Sequence, residues 1–456
     1  MVKRVIDQWT WDYWLVQKYA TLCYRIFYRK IYVNNLQNIP KNQPVILAAN
    51  HQNALMDALA LVCNTPFQIV FLARADIFKG RVLKHFLHFA NILPIFRIRD
   101  GLDNVRKNDE IFEKTLQVFR NKYNPVGIFP EGNHGDKRRL RPLVKGIFRM
   151  AFQAQNDFKN SPGVKIIPIG IDYGHYTNFR TSVYVNFGSP IEVSDYFPVN
   201  EDDRVKSMND LKERLAGEIS KLIIDIRTEA YYDTYMALRT IFNKPMRGHL
   251  KIQGDNLHTR FEADKKMIEI LDLQLHDDPA QIKKVDKLVS DYTEKLRLLN
   301  IRDWIVEKGK FSRLAEYLKA MILALSLPLF FIGLINNLLP YKLPTLAVKN
   351  IKDAQFHSSV KYVVGMLVFP LYYIIMSVLA AIFIPGALFS WLYIIMLPLS
   401  GIFAYNYYIW WKKLCARFRF IKYSRQHRDS SDFLPKLRKE IVNLTDIIVT
   451  KFLKST

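Results

Sequence analysis

Hydrophobic positions fall into three kinds of stretch along this chain, and each predicts a different element. Short apolar runs ending in polar loops occur at 44–50 (PVILAAN), 67–73 (FQIVFLA), 92–98 (ILPIFRI), 126–130 (VGIFP) and 164–172 (VKIIPIGID). Their length and punctuation are those of buried strands. Helix-like stretches at 104–122 and 142–158 lie between them. The alternation predicts an α/β domain over 35–200, a mainly parallel sheet with flanking helices, whose ligands gather beyond the carboxyl ends of the strands. From 201 to 316 the sequence is charge-rich with a helical period, as in DLKERLAGEISKLIIDI, and predicts a helical appendage.

The third kind of stretch is continuous. Tyr362 to Trp411 is fifty residues without one Asp, Glu, Lys, Arg or His. A spanning helix needs about 20 apolar residues, so 361–411 predicts a C-terminal transmembrane hairpin, Val363 to Ile384 and Leu388 to Tyr408, turned at Pro385-Gly386. A shorter uncharged run within 317–342, Ala320 to Tyr341, is interrupted by Pro328, Asn336, Asn337 and Pro340. The basic tail over 412–456 opens with KKLCARFRFIKYSRQHR and has a cytoplasmic character, as does the basic region before Ala320. An even number of crossings must then separate them. The hairpin already supplies two, so the 320–341 run is expected to be re-entrant, a third span being the alternative. In segment 1–34, Trp9 to Val33 interleaves Trp9, Trp11, Trp14, Leu15 and Phe27 with Lys18, Arg25, Arg29 and Lys30, the pattern of an interfacial amphipathic helix. Asp7 and Asp12 interrupt it, which does not suit a signal peptide.

Composition narrows the partners. Half the residues are hydrophobic, yet 66 Lys and Arg face 42 Asp and Glu, a formal charge of +24. An aromatic content of 13% excludes global disorder. Cys23, Cys63 and Cys415 have no paired spacing, which excludes a disulfide framework and a Cys-rich zinc site. His51, His134 and His175 have no zinc-like spacing either, and no metal is expected. A basic excess accompanied by apolar spans and no recognition module favours anionic membrane lipid over nucleic acid.

Three polar clusters fall where strands should end. In NHQNALMD, a carboxylate near a histidine can fix the ring tautomer and leave the other nitrogen to accept a proton. Six residues of helix turn through about 600°, so His51 and Asp57 do not share a helix face. His51 must sit in the loop, with Asp57 reaching back. In IFRIRDG, Arg97 and Arg99 suit phosphate, because the guanidinium fork pairs with oxyanions in bidentate fashion. In GIFPEGNHGDKRRLR, Gly132 after Glu131 permits a tight turn that aims backbone N–H groups at a ligand, ringed by Lys137, Arg138, Arg139 and Arg141.

In this order the clusters resemble the glycerolipid acyltransferase family, over about residues 35–195. The motifs are Asn50-His51 with Asp57, Ile95-Phe96-Arg97-Ile98-Arg99, Phe129-Pro130-Glu131-Gly132 and Ile167-Pro168-Ile169. Five residues separate His51 from Asp57, where the commonest family pattern has four. That spacing, with His134 and Pro142-Leu143-Val144-Lys145-Gly146, resembles the fungal glycerol-3-phosphate and dihydroxyacetone-phosphate acyltransferase branch. Asn133-His134 stands where many members carry Thr-Arg or Ser-Arg, so the phosphate role passes to Arg97, Arg99, Lys137 or Arg138.

The resemblance implies a membrane-bound O-acyltransferase with a His-Asp general-base mechanism. It would move an acyl chain from acyl-CoA or acyl-carrier protein to glycerol 3-phosphate or 1-acylglycerol 3-phosphate, in phospholipid biosynthesis. His51 and Asp57 would be catalytic, and Arg97, Arg99, Glu131, Gly132, Lys137 and Arg138 would hold the phosphorylated acceptor. Asn50, Asn53, His134 and Lys145 are secondary candidates. No cofactor beyond the thioester co-substrate is implied. The expected location is an integral membrane protein with its catalytic domain on the cytoplasmic face of a bacterial inner membrane or endoplasmic reticulum. Transfer to another lysolipid or an amine, and a catalytically silent lipid-binding scaffold, are the alternatives.

Overall fold

A computed structural model describes residues 6, 8–96, 102–122, 124–158, 163–384, 386–427, 430 and 433–454. The chain divides into two units, Met1–Asp225 with Asn350–Tyr362, and Ile226–Lys349 with Val363–Thr456. Arg97 and Arg99 lie outside the described residues.

The first unit is built on eight strands: β1 (Tyr28–Asn34), β2 (Val45–Ala49), β3 (Val70–Arg74), β4 (Ile92–Ile95), β5 (Val126–Ile128), β6 (Lys165–Tyr173), β7 (Thr181–Phe187) and β8 (Ile191–Glu192). Their order is β1-β7-β6-β2-β5-β3-β4, with β8 on β6. Strands β6, β2, β5, β3 and β4 run parallel, and β7 and β8 are antiparallel to β6. Every residue of β2 is buried, as expected for a central strand covered on both faces. The carboxyl ends of β2, β5 and β3 therefore open on the same edge, and the polar loops that follow them converge there.

Six helices complete this part of the chain: α1 (Trp11–Phe27), α2 (Leu55–Val62), α3 (Arg81–Phe89), α4 (Leu102–Lys122), α5 (Gly146–Asp157) and α6 (Arg204–Leu222). Two boundaries differ from the pattern-based expectation. The amphipathic helix stops at Phe27, and Tyr28–Asn34 leaves it to pair in parallel with β7. Helix α6, expected in the appendage, belongs to the first unit, because its stripe of Leu211, Leu215 and Ile219 joins the core formed by Ile46, Val126 and Ile166. Apolar residues four apart share one helix face, and this one had a sheet to cover.

The second unit is helical. It holds α7 (Tyr232–Ile241), α8 (Asn243–His249), α9 (Leu257–Asp277), α10 (Pro279–Leu298), α11 (Asp303–Lys308), α12 (Arg313–Leu325) and α13 (Leu327–Ala347). It also holds most of α14 (His357–Phe383), and all of α15 (Ala387–Gln426) and α16 (Leu434–Lys454). Among the described residues, two helices are long and apolar enough to cross a membrane, Ala354–Phe383 and Ala387–Gln426. Leu367, Ile374, Phe383, Leu388 and Trp391 stand exposed on them, an apolar surface that calls for a non-aqueous partner. Helix α15 runs on past Trp411, so the basic tail begins as a continuation of a helix and not as a separate segment. Helices α12 and α13 meet at a bend of 53° and are long and apolar enough to cross only together, the geometry of a broken span or a re-entrant loop.

Candidate active site

His51 leaves the end of β2 in a loop, and Asp57 stands in the first turn of α2. The imidazole Nδ1 lies 2.9 Å from Asp57 Oδ2. That carboxylate is almost wholly buried, 1% exposed, while the His51 side chain is 16% exposed. A buried carboxylate needs donors on every lone pair it turns inward. Oδ2 also accepts the backbone N–H groups of Gln52, at 2.9 Å, and Asn53, at 2.7 Å, and Oδ1 accepts the Tyr173 hydroxyl at 2.8 Å. With Nδ1 turned to Asp57, Nε2 is the ring nitrogen left for a substrate proton.

The loop that makes this possible is strained. Ala54 has φ 44° and ψ −124°, a conformation that L residues avoid and that persists only where the surroundings over-determine it. They do so here. Asn50 is buried and spans to β6, donating from Nδ2 to the Ile171 carbonyl at 3.1 Å and accepting from the Ile171 N–H at 2.7 Å. Asn53 donates from Nδ2 to the Tyr176 carbonyl at 3.3 Å.

The turn after β5 closes the other side. Glu131 Oε1 accepts the His51 backbone N–H at 2.7 Å, Oε2 accepts the Arg141 N–H at 3.1 Å, and the Gly135 N–H donates to the His51 carbonyl at 3.1 Å. Glu131 thus clasps the main chain of the histidine and stands 3% exposed. Burial pushes its carboxyl up to about 7, against the opposing pull of the two N–H donors and the Arg141 charge. Gly132 turns at φ +66°, and a Cβ there would meet Val144 at 3.0 Å, so the turn needs glycine. Phe129 stacks on the His51 ring with centroids 4.1 Å apart and planes 14° apart. His134 stands edge-on to the same ring at 5.6 Å. Burial, then the neighbouring His51 and Arg74, push its imidazole down to about 4, so His134 is neutral at physiological pH.

The basic candidates separate. Arg138 is not an open anion site: it is 3% exposed and bonded to Asp172 and to the Tyr173 carbonyl, with its guanidinium 5.0 Å from the Tyr176 ring centroid. It braces the end of β6 beside the Tyr173 that holds Asp57. Lys137 is half-buried, and Lys145 is exposed at the start of α5. Arg74 is a residue the pattern reading did not single out. It closes β3, half-buried, paired to Asp76, and donates to Asn133 Oδ1 at 3.0 Å on the edge of the Glu131 turn. A lone Arg ending an apolar run is a weak sequence signal, and only the parallel pairing of β3 with β5 brings it beside the turn. Tyr173 was likewise hidden, as the last residue of a strand. Among the described residues no group of three or more His, Cys, Asp or Glu is placed to hold a metal.

A family model described as Acyltransferase matches residues 30–172, which span the site loops. The chain is 31% identical over 189 residues to glycerol-3-phosphate O-acyltransferase 1 of Saccharomyces cerevisiae, covering 41% of this chain and 24% of that protein. It is 28% identical over 162 residues to the mouse 1-acyl-sn-glycerol-3-phosphate acyltransferase alpha, covering 35% of this chain and 51% of that protein. The match thus spans between a quarter and a half of those relatives' length. Among solved structures, the 1-acyl-sn-glycerophosphate acyltransferase of Thermotoga maritima aligns with 20% identity and a TM-score of 0.33, over 45% of this chain and 79% of that one. Residues 30–172 match an acyltransferase domain, and over this region the chain is similar to glycerol-3-phosphate and 1-acylglycerol-3-phosphate acyltransferases.

Proposed function

We propose that this protein transfers an acyl chain from a thioester, acyl-CoA or acyl-carrier protein, to the hydroxyl of glycerol 3-phosphate or 1-acylglycerol 3-phosphate. The observation that carries the reading is the His51 imidazole, fixed through Nδ1 by a buried, fully bonded Asp57 and clasped at its backbone by Glu131. The acceptor oxygen attacks the thioester carbonyl while His51 Nε2 takes its proton. The tetrahedral intermediate then expels the thiolate, which recovers that proton from the imidazolium. Asp57 holds the tautomer and stabilises the charged ring in between. Both steps balance without a covalent acyl-enzyme.

The acceptor phosphate is assigned to Arg74, beside the Glu131 turn, and to Lys137, with Arg97 and Arg99 named on the sequence motif alone. Glu131 and Gly132 shape the turn beneath it and do not contact phosphate themselves, since one carboxylate carries the His51 backbone and the glycine carries the fold of the turn. The long apolar helices support a membrane-bound protein, the setting in which a lysolipid acceptor and a diacyl product reside. A cytoplasmic-facing site is the orientation that the Lys and Arg excess around the apolar runs supports.

The test is the purified full-length chain in lipid nanodiscs with labelled acyl-CoA or acyl-carrier protein against glycerol 3-phosphate, dihydroxyacetone phosphate and lysophosphatidic acid. Product with a phosphorylated glycerol acceptor is expected. No product with any acceptor under both donors would overturn the reading in favour of a silent scaffold.

A further inference from the structure

Residues 350–362 lie just ahead of and within the first turns of α14, yet they belong to the α/β unit. Within that unit they reach the His51 loop. Ser358, fully buried, donates its hydroxyl to Asn53 Oδ1 across 305 residues of sequence. Phe356 stands edge-on to His134 with centroids 4.6 Å apart. Four rings, Phe129, His51, His134 and Phe356, therefore follow one another from the sheet outward.

We propose that Ser358 is a positioning residue for the His51–Asp57 pair and that Phe356 is a wall of the same site. The acyl-transfer centre would then be assembled from the strand-end loops and the start of the first long apolar helix. The proposal rests on the acyl-transfer reading for its kinetic part only.

The physical route runs through Asn53. Its backbone N–H is one of the two that orient Asp57, and its side chain has two ends to hold. One end donates to Tyr176; the other accepts from Ser358. Both partners are buried, so no water replaces the hydroxyl once it is gone, and an orphaned amide oxygen beside the strained Ala54 is free to turn. A small rotation of that peptide re-aims the N–H at Asp57, and through Asp57 the imidazole. The segment itself has separate anchors. Lys361 donates to the Thr177 carbonyl at 3.2 Å and the Tyr362 hydroxyl to the Ala20 carbonyl at 2.6 Å. Loss of Ser358 or Phe356 alone should therefore not release it.

The experiment has two arms on the full-length protein. In the first, Ser358→Ala is expected to lower kcat about tenfold, the usual scale for one lost buried hydrogen bond, with both KM values within twofold. Ser359→Ala is the neighbouring control, since the Ser359 hydroxyl is buried without a hydrogen-bond partner among the described residues, and its kcat should not change. Full kcat in Ser358→Ala, or equal losses in the two variants, would overturn the positioning role. In the second arm, diethyl pyrocarbonate modification is read by mass spectrometry. Phe356→Ala should speed carbethoxylation of His134 at least fivefold while the exposed His276, 92% accessible, reacts at its former rate. An unchanged His134 rate would overturn the wall. This arm needs no turnover, so a chain that transfers nothing would sink the acyl-transfer reading and still judge the contact.

Discussion

The His51 loop and the Asn337 junction between α13 and α15 both bury polar side chains, and they do it to opposite ends. At the loop, donors from two segments, residues 51–53 and Tyr173, converge on one carboxylate and hold a strained backbone, and the product is an imidazole 16% exposed with one nitrogen left to react. At the junction every polar atom is consumed. Asn337 Nδ2 reaches the Gly333 carbonyl at 3.0 Å, the Leu397 carbonyl at 3.2 Å and Ser400 Oγ at 3.3 Å, and Oδ1 accepts the Tyr373 hydroxyl at 2.7 Å. Gly333 lets the helices close: a Cβ there would stand 2.3 Å from the Ser400 carbonyl. Small residues and amide glue are how helices associate where lipid removes the hydrophobic drive. Polar burial that leaves a valence open is chemistry; polar burial that leaves none is packing.

The largest break in that contrast is His51→Ala. Removing the proposed general base is expected to cut turnover by about 10²–10⁴-fold with little change in thermal midpoint. A variant keeping more than a few per cent of wild-type activity would remove His51 from the mechanism. Next comes Glu131→Gln, read as stability against pH. Glu131 titrates near 7 in the fold against 4.5 when free, so between those values the native state holds a proton the unfolded chain has released. Stability then falls as pH rises through that window, by at most about 3 kcal/mol, and is flat above it. The Gln variant should lose that slope, as measured by denaturation midpoints from pH 4.5 to 7.5; an unchanged slope would refute the raised carboxyl.

At the junction, Gly333→Leu forces the helices apart and is expected to cost about 1–3 kcal/mol in detergent unfolding, while kcat stays within twofold. The smallest effect belongs to Asn337→Leu, about 1 kcal/mol, because the Leu397 carbonyl keeps the Ser400 hydroxyl as donor and the Tyr373 hydroxyl is the one partner that loses its acceptor. Loss of catalysis in either junction variant without unfolding would erase the distinction between the two regions.

Legibility in the sequence tracked how local the cause was. Strands β2 to β6 read as apolar runs because a buried parallel strand is apolar on both faces. Strand β1 did not: YRKIYVN follows a helix with no Gly or Pro between, and only the ladder to β7 makes it extended. Strand β7, TSVYVNF, is apolar for only part of its length and passed unnoticed for the same reason. Of the candidate site, His51 and Asp57 were readable as a pair from motif and spacing, and Glu131 as a strand-end carboxylate but not as the clasp on the His51 backbone. Arg138 was legible as a charge and not as a brace, since its partner Asp172 lies 34 residues away. Arg74, Tyr173 and Ser358 gave no usable local signal.

By itself the sequence determined the α/β class, the apolar helices and the residue types of the chemistry, because hydrophobic period and strand-end punctuation act over a few neighbours. Tertiary structure alone decided that Tyr173 helps hold Asp57, that Arg138 is internal, and that residues 350–362 reach the His51 loop. Those are hydrogen bonds spanning from 34 to 305 positions, and a bond's worth depends on the burial that folding creates around it.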